Sequence, residues 1–235
     1  MELPGFVIHI IHGKLILERM CKIFDEEQKD CFMMGILMAD SNKGHKKDVS
    51  HFISADSQNS ILKTPDLKLF VSKYRKYLSE PFVMGYLAHL YLDKVFFEKF
   101  FTEYILFQDS NGHETMNEQE IQKVYLSRQN RYVSVDELFS EEYLYGDYTH
   151  LNNALIAKYS LKIPCGVMCE NHIEEVEPEN FRYIQADLEK YFSLPSPENV
   201  ELKIFCQSEL ENFISCQADS FVAYYENQTK RRVLS

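Results

Sequence analysis

The chain has 235 residues, 45% hydrophobic and 26% charged, a length and balance that suit one soluble globular domain. Its 17 Phe and 15 Tyr supply enough apolar surface to exclude disorder as the main state, and only 8 Gly and 7 Pro exclude collagen-like and linker-like classes. A formal net charge of −11 argues against a nucleic-acid backbone or an anionic membrane surface as partner. Any phosphate-bearing substrate would need a local positive charge, such as a bound metal.

The opening Met1-Glu2-Leu3-Pro4-Gly5 carries neither a basic n-region nor a small-residue cleavage site, so a secretory signal is not expected and a cytoplasmic location is. Apolar residues recur at helical spacing from Val7 to Phe24, after Pro4-Gly5. Gln28 to Ala39 is a second, strongly apolar helix ending near Asp40. Ser41 to Thr64 is polar and predicts a long loop, with a short helix around His51 to Ala55. Asp66 to Leu78 predicts a short helix with Asp66 near its start. Ser79-Glu80-Pro81 then opens the longest helix, to about Phe107, with Ser79 as N-cap and Pro81 early in the first turn. The apolar run from Phe82 to Leu106 contains His89, Asp93, Lys94, Glu98 and Lys99, too many charges for a lipid-facing span, and reads as a buried core helix.

Asp109-Ser110-Asn111-Gly112 breaks that helix. Further helices are predicted at Asn117–Asn130, Val135–Tyr145, Tyr148–Tyr159, Pro178–Phe192 and Asn199–Glu226, with Pro195-Ser196-Pro197 separating the last two. Alternating β-branched runs are scarce, so the expected fold class is all-α, a multi-helix single domain over residues 1–235. The basic end Lys230-Arg231-Arg232 reads as solvated. Six cysteines, at 21, 31, 165, 169, 206 and 216, form no Cys-x-x-Cys pair. Cys165 and Cys169 make a weak metal spacing with no second pair, and reduced thiols are expected.

His89 and Asp93 lie four apart and share one helix face. Their neighbours are apolar, so that face is buried, and a buried carboxylate must be paired or coordinate a cation. Two readings stand: a simple His–Asp ion pair, or two ligands to one metal ion. Other residues of ligand type are His9 and His12 in the first helix, Asp40 at the end of the second, and His51 beyond it. Asp40 is disfavoured at a helix C-terminus by the dipole unless something positive lies nearby. His45 precedes Lys46 and Lys47 and reads as solvated. Helix bundles build metal sites from one imidazole or carboxylate per helix, and such a site with an open position activates water. There is no Gly-x-Ser-x-Gly, no Gly-rich phosphate loop, no His-Glu-x-x-His and no His-Asp dipeptide to suggest another chemistry.

The frames Pro4-Gly5-Phe6-x-x-His9-x-x-x-Gly13, Gly35-x-x-x-Ala39-Asp40, Ser50-His51-Phe52 and Gly85-Tyr86-Leu87-x-His89-Leu90-x-x-Asp93 occur in that order. Together they resemble the zinc-dependent phospholipase C family, whose fold is related to the S1/P1-type nucleases, and most closely its bacterial cytosolic branch. The resemblance covers about residues 4–100, and Leu144-Tyr145-Gly146-Asp147-Tyr148-Thr149-x-Leu151-Asn152 is also similar to that branch. It implies an all-helical, metal-dependent hydrolase of phosphoric (di)esters acting on a small phosphoester or a phospholipid headgroup. It further implies His9, Asp40, His51, His89 and Asp93 as metal ligands, with Asp40 also the proposed general base and Asp93 able to bridge two ions. The chain has no Trp, and only His113 stands where secreted members hold a third zinc, so one or two divalent ions, zinc first among them, are expected. Asp147 and Asn152 read either as supports of the site or as an N-cap and a helix-surface residue. The alternative to a hydrolase is a non-catalytic metal-binding helical protein with a degenerate site.

Overall fold

The computed structural model describes residues 4–20, 24–194 and 201–230, and the fold is mostly helical. Helix α1 spans Phe6–Arg19 and α2 spans Glu26–Met38, running into a 3-10 turn at Ala39–Ser41. Short helices α3 (His45–Ser50) and α4 (Leu67–Lys73) follow, then α5 (Pro81–Val95), a π-helical stretch Phe96–Phe101, and α6 (Thr102–Tyr104). Strands β1 (Ile105–Gln108), β2 (Lys123–Leu126) and β3 (Arg131–Val133) form an antiparallel sheet in that order. Helices α7 (Val135–Leu138), α8 (Leu144–Tyr159), α9 (Phe181–Ser193) and α10 (Gln207–Lys230) complete the chain.

The helix starts follow from local chemistry. Asp25 accepts a hydrogen bond from the backbone N–H of Gln28, whose side chain accepts in return from the Asp25 N–H, closing a capping box on α2. Asp66 accepts from the N–H groups of Lys68 and Leu69 at the start of α4. Pro81 occupies the first turn of α5, but Ser79 is not its cap; Glu80 takes that position without a side-chain bond.

Several expectations are corrected. The helix predicted to reach Phe107 ends at Tyr104, where the chain becomes β1. The helix predicted over Asn117–Asn130 is replaced by β2 and a turn. There Val124 and Leu126 point inward while Lys123 and Tyr125 are half-buried, a period of two rather than 3.6. Asn130, at φ 49°, takes the left-handed conformation that Asn tolerates and reverses the chain into β3. The region Val135–Tyr145 holds a single helical turn followed by an earlier start of α8. The short helix of the polar loop is His45–Ser50, not His51–Ala55. Cys31 and Cys169 form a disulfide, with Cα atoms 5.7 Å apart, that joins α2 to the segment between α8 and α9; the expectation of reduced thiols fails at this pair. Pro195-Ser196-Pro197, Cys21 and Arg231-Arg232 lie outside the described residues, as does the side chain of His45.

Asp147 is neither a cap nor a ligand. It is buried within α8 and accepts from the backbone N–H groups of Lys203, Ile204 and Phe205 at 2.8, 2.7 and 3.1 Å. This anchors Phe205 in an aromatic cluster with Phe96, Phe100 and Tyr104. Helix α10 covers α1, where His12 meets Phe221 edge-on. No helix among the described residues is long and apolar enough to cross a membrane.

The contact that positions the site is between α2 and α5. A Cβ on Gly35 would overlap the carbonyl oxygen of Phe82, and a Cβ on Gly85 would overlap that of Phe32. The two helices therefore touch backbone to backbone. Gly85→Ala should lower the urea unfolding free energy by about 2–4 kcal/mol, because neither backbone can yield locally. A loss under about 0.5 kcal/mol, the range of an ordinary surface change, would show that the helices separate easily.

Candidate metal centre

Five buried side chains converge from four segments. Helix α1 contributes His9, the 3-10 turn after α2 contributes Asp40, the end of α3 contributes His51, and α5 contributes His89 and Asp93 one turn apart. These are the five residues that the resemblance implies as metal ligands; His12, also of ligand type, is not among them. His9 and His89 have no exposed surface, and the other three are at most 6% exposed.

Two imidazoles are oriented by backbone carbonyls. His89 Nδ1 lies 2.8 Å from the carbonyl oxygen of Ile36, and His51 Nδ1 lies 2.9 Å from that of Lys47. A carbonyl only accepts, so each Nδ1 must be the protonated donor and each Nε2, in the neutral ring, carries a free lone pair. Those two Nε2 atoms face each other at 3.3 Å. With neither protonated, they are two acceptors converging on one point.

The carboxylates close the same space. Asp93 Oδ2 is 3.2 Å from His89 Nε2 and 3.5 Å from His51 Nε2. Asp40 Oδ1 is 3.3 Å from His51 Nε2, and Asp40 Oδ2 is 4.0 Å from His89 Nε2. A tetrahedral ion with donors at roughly 2.0–2.1 Å has donor–donor edges of about 3.3 Å. Four of these five separations, 3.2–3.5 Å, cluster at that edge length, and the fifth, Asp40 to His89, is longer. On its other side Asp93 Oδ1 lies 3.1 Å from His9 Nε2. That oxygen and both nitrogens of His9 are buried and make no well-formed hydrogen bond. Orphaned donor atoms of this kind are what a bound cation satisfies. The donor set therefore fits a divalent metal.

Two ligand groups can be drawn, His9/His89/Asp93 and Asp40/His51/His89, and both use His89. His89 has one nitrogen to offer, since Nδ1 is held by Ile36. It can serve one ion only. Asp93, with one oxygen toward each group, is the residue placed to bridge if there are two.

The buried carboxylates carry the negative charge and favour a proton on His89, which a bound cation would replace. Burial pushes the Asp93 carboxyl up, but His89 and His9 outweigh it and hold it below the usual carboxylate range. Burial likewise opposes ionisation of Asp40, yet the Lys47 ammonium, with His51 and His89, keeps it well below that range. Lys47 Nζ is 2.7 Å from Asp40 Oδ1, the positive group that a carboxylate at this helix end requires. Burial and the neighbouring His89 lower His9, while Asp93 and Asp40 overcome burial to raise His89.

Residues with no role of their own legible in the sequence hold the frame. Ser50 Oγ donates to the carbonyl of Ala39 at 2.7 Å, and the Tyr86 hydroxyl donates to the carbonyl of Ser50 at 2.6 Å. Ser50 thus ties α3 to both α2 and α5 beside three of the ligands. Phe52, next to His51, is held at φ 54° with its ring against Phe70. Lys47 precedes His51 by one helical turn, a spacing visible in the sequence once α3 is known.

Other expected residues stay away. His113 is exposed beside Asp109. His12 is fully buried but makes no hydrogen bond through either ring nitrogen and belongs to neither ligand group. Asn152 is buried on α8 with its Oδ1 unpartnered. Cys165 is free and exposed, and Cys169 is committed to the disulfide.

A cleft of about 380 Å³ opens onto His51 and Asp93, lined also by Lys47, Ile53, Lys63 and Phe97. The centre is reachable from solvent on that side. No protein-family model, curated protein or solved structure matches the chain.

His12 carries a pH signature. Burial, and next His9, push it down to about 3, below its ordinary 6.5. The folded state keeps it neutral where the unfolded chain takes up a proton, so its share of stability is complete above about pH 6.5 and is lost as pH falls toward 3. His12→Gln should flatten the fall in urea unfolding free energy between neutral pH and the acid side, by up to about 1.4 kcal/mol per pH unit. Equal slopes in the two proteins would contradict the assignment.

Proposed function

We propose that this protein is a metal-dependent hydrolase of phosphoric esters, resembling the zinc-dependent phospholipase C family in the order of its ligand-bearing sequence frames. The observation that carries the reading is the meeting of two carbonyl-oriented Nε2 atoms, 3.3 Å apart, with the carboxylates of Asp40, 3.3 Å from His51, and Asp93, 3.2 Å from His89, on the wall of a solvent-accessible cleft. His51, His89, Asp40 and Asp93 would hold the principal ion, with a fifth position toward the cleft for water, and His9 with the second oxygen of Asp93 would support it or a second one. The donors are imidazole and carboxylate, which suit zinc, with manganese and iron also accommodated. Such an ion supplies Lewis acidity and lowers the pKa of bound water toward about 7.

The chain's own residues do the rest. Asp40, beside His51 at the centre, would ligate the ion and accept a hydrogen bond from the attacking water, the general-base position expected of it. Ile36 and Lys47 carbonyls fix the ring planes of His89 and His51. The cleft admits a small phosphoester or the headgroup of a phospholipid, with Ile53 and Phe97 offering limited apolar contact. A second reading, a non-catalytic metal holder, draws on the near-complete burial of the ligands. The cytoplasmic location is also part of the proposal, and the Cys31–Cys169 disulfide pulls against it, since such bonds persist mainly in oxidising compartments.

Purified protein should contain one or two divalent ions per chain and hydrolyse a chromogenic phosphodiester. His89→Ala and Asp93→Ala should each release metal and lower kcat by about a hundredfold or more while circular dichroism stays helical. A fully loaded protein with no turnover on a panel of phosphoesters would favour the metal holder, and a protein that binds no divalent metal would sink both readings.

A further inference from the structure

The geometry points to Lys47 as an internal counter-cation that gives way to the metal and then binds the anionic oxygens of the substrate, so that metal and oxyanion bind cooperatively. This inference rests on the metal-centre reading above and adds to it the residue that meets the substrate's anionic oxygens.

Asp40 Oδ1 has two claimants. Lys47 Nζ lies 2.7 Å away, and His51 Nε2 lies 3.3 Å away at the metal edge spacing. Two buried carboxylates, Asp40 and Asp93, cannot stand in a low-dielectric pocket without compensating positive charge. Without metal, Lys47 supplies it at Asp40. A divalent ion ligated by the same carboxylate takes over that role and repels the ammonium at short range. Lys47 has somewhere to go: its side chain is 22% exposed and lines the cleft beside His51. The other lysine of the cleft, Lys63, is engaged by Asp48 at 2.9 Å. Lys47 is therefore the cleft cation whose carboxylate partner is surrendered when metal binds. Displaced into the cleft, whose own carboxylates are Asp48, held by Lys63, and the exposed Glu118, it would offer its ammonium to a phosphoryl oxygen in place of Asp40. Coupling of this kind is reciprocal: the anion strengthens metal binding by the factor with which metal strengthens anion binding.

The test is a chelator-competition titration of the full chain with Mn²⁺, with and without inorganic phosphate, on wild type, Lys47→Met and Lys47→Arg. In wild type, phosphate should tighten Mn²⁺ binding about fivefold or more. Lys47→Met should bind Mn²⁺ alone about tenfold more tightly than wild type, because a competitor is gone, and phosphate should then change that affinity less than about twofold. Lys47→Arg should keep the coupling. Equal or weaker Mn²⁺ binding by Lys47→Met, or phosphate coupling that survives in it, overturns the role of Lys47 while leaving the metal centre intact. The wild-type measurement needs no variant to fold: Mn²⁺ binding without phosphate coupling also overturns the role. Wild type that binds no Mn²⁺ removes the centre itself.

Discussion

The bare contact between α2 and α5 sets everything else. Two residues without side chains, Gly35 and Gly85, let the helices meet at their backbones. Only at that separation does the Ile36 carbonyl reach His89 Nδ1. The same approach delivers Asp40, just past the end of α2, to the face of α5 that carries His89 and Asp93. The ring of His9 then stacks on His89, with centroids 3.8 Å apart, so α1 is positioned against a face that is already fixed. A wider helix packing would leave the ligand residues in order along the chain but apart in space.

The second constraint is charge. A cluster of five titratable groups with almost no exposure is costly for a fold unless each charge has a counterpart. Here the compensation is close but incomplete. Asp40 has Lys47, and Asp93 has His89 and His9, yet several buried donor and acceptor atoms remain without a well-formed partner. Ordinary core packing eliminates such atoms; functional sites retain them. The clasp of Ser50 to Ala39, and of Tyr86 to Ser50, shows where the fold places neutral hydrogen bonds to keep the polar cluster rigid.

Much of this was legible because the relevant residue types stand out against their neighbours. His9 lies in a run of Val and Ile, and His89 and Asp93 lie among Leu and Tyr, so helical spacing alone placed each inside. Asp40 at a helix C-terminus signalled a missing positive charge, and Lys47 answers it. What could not be read was any role created by tertiary contact. Ser50, Tyr86 and Lys47 are common residue types whose meaning depends on which segment they face. Asp147 has the composition of a helix cap, yet it serves as the acceptor for three amides more than fifty residues away. The sheet was missed for a related reason: β2 is four residues long, too short for its alternation to compete with the surrounding helical pattern.

The π-helical stretch Phe96–Phe101 begins three residues after Asp93. A π turn closes its hydrogen bond one residue later than an α turn, so the stretch is equivalent to an α-helix carrying one inserted residue. Its effect is angular: each added residue rotates the downstream chain by about 100° about the helix axis. Phe100 and Phe101 are thereby carried inward to meet Phe205, and β1 leaves the helix in the direction the sheet needs. The upstream ligands feel none of this. The stretch thus separates the turn of the helix that carries His89 and Asp93 from the aromatic cluster downstream, while its own Phe97 faces the cleft.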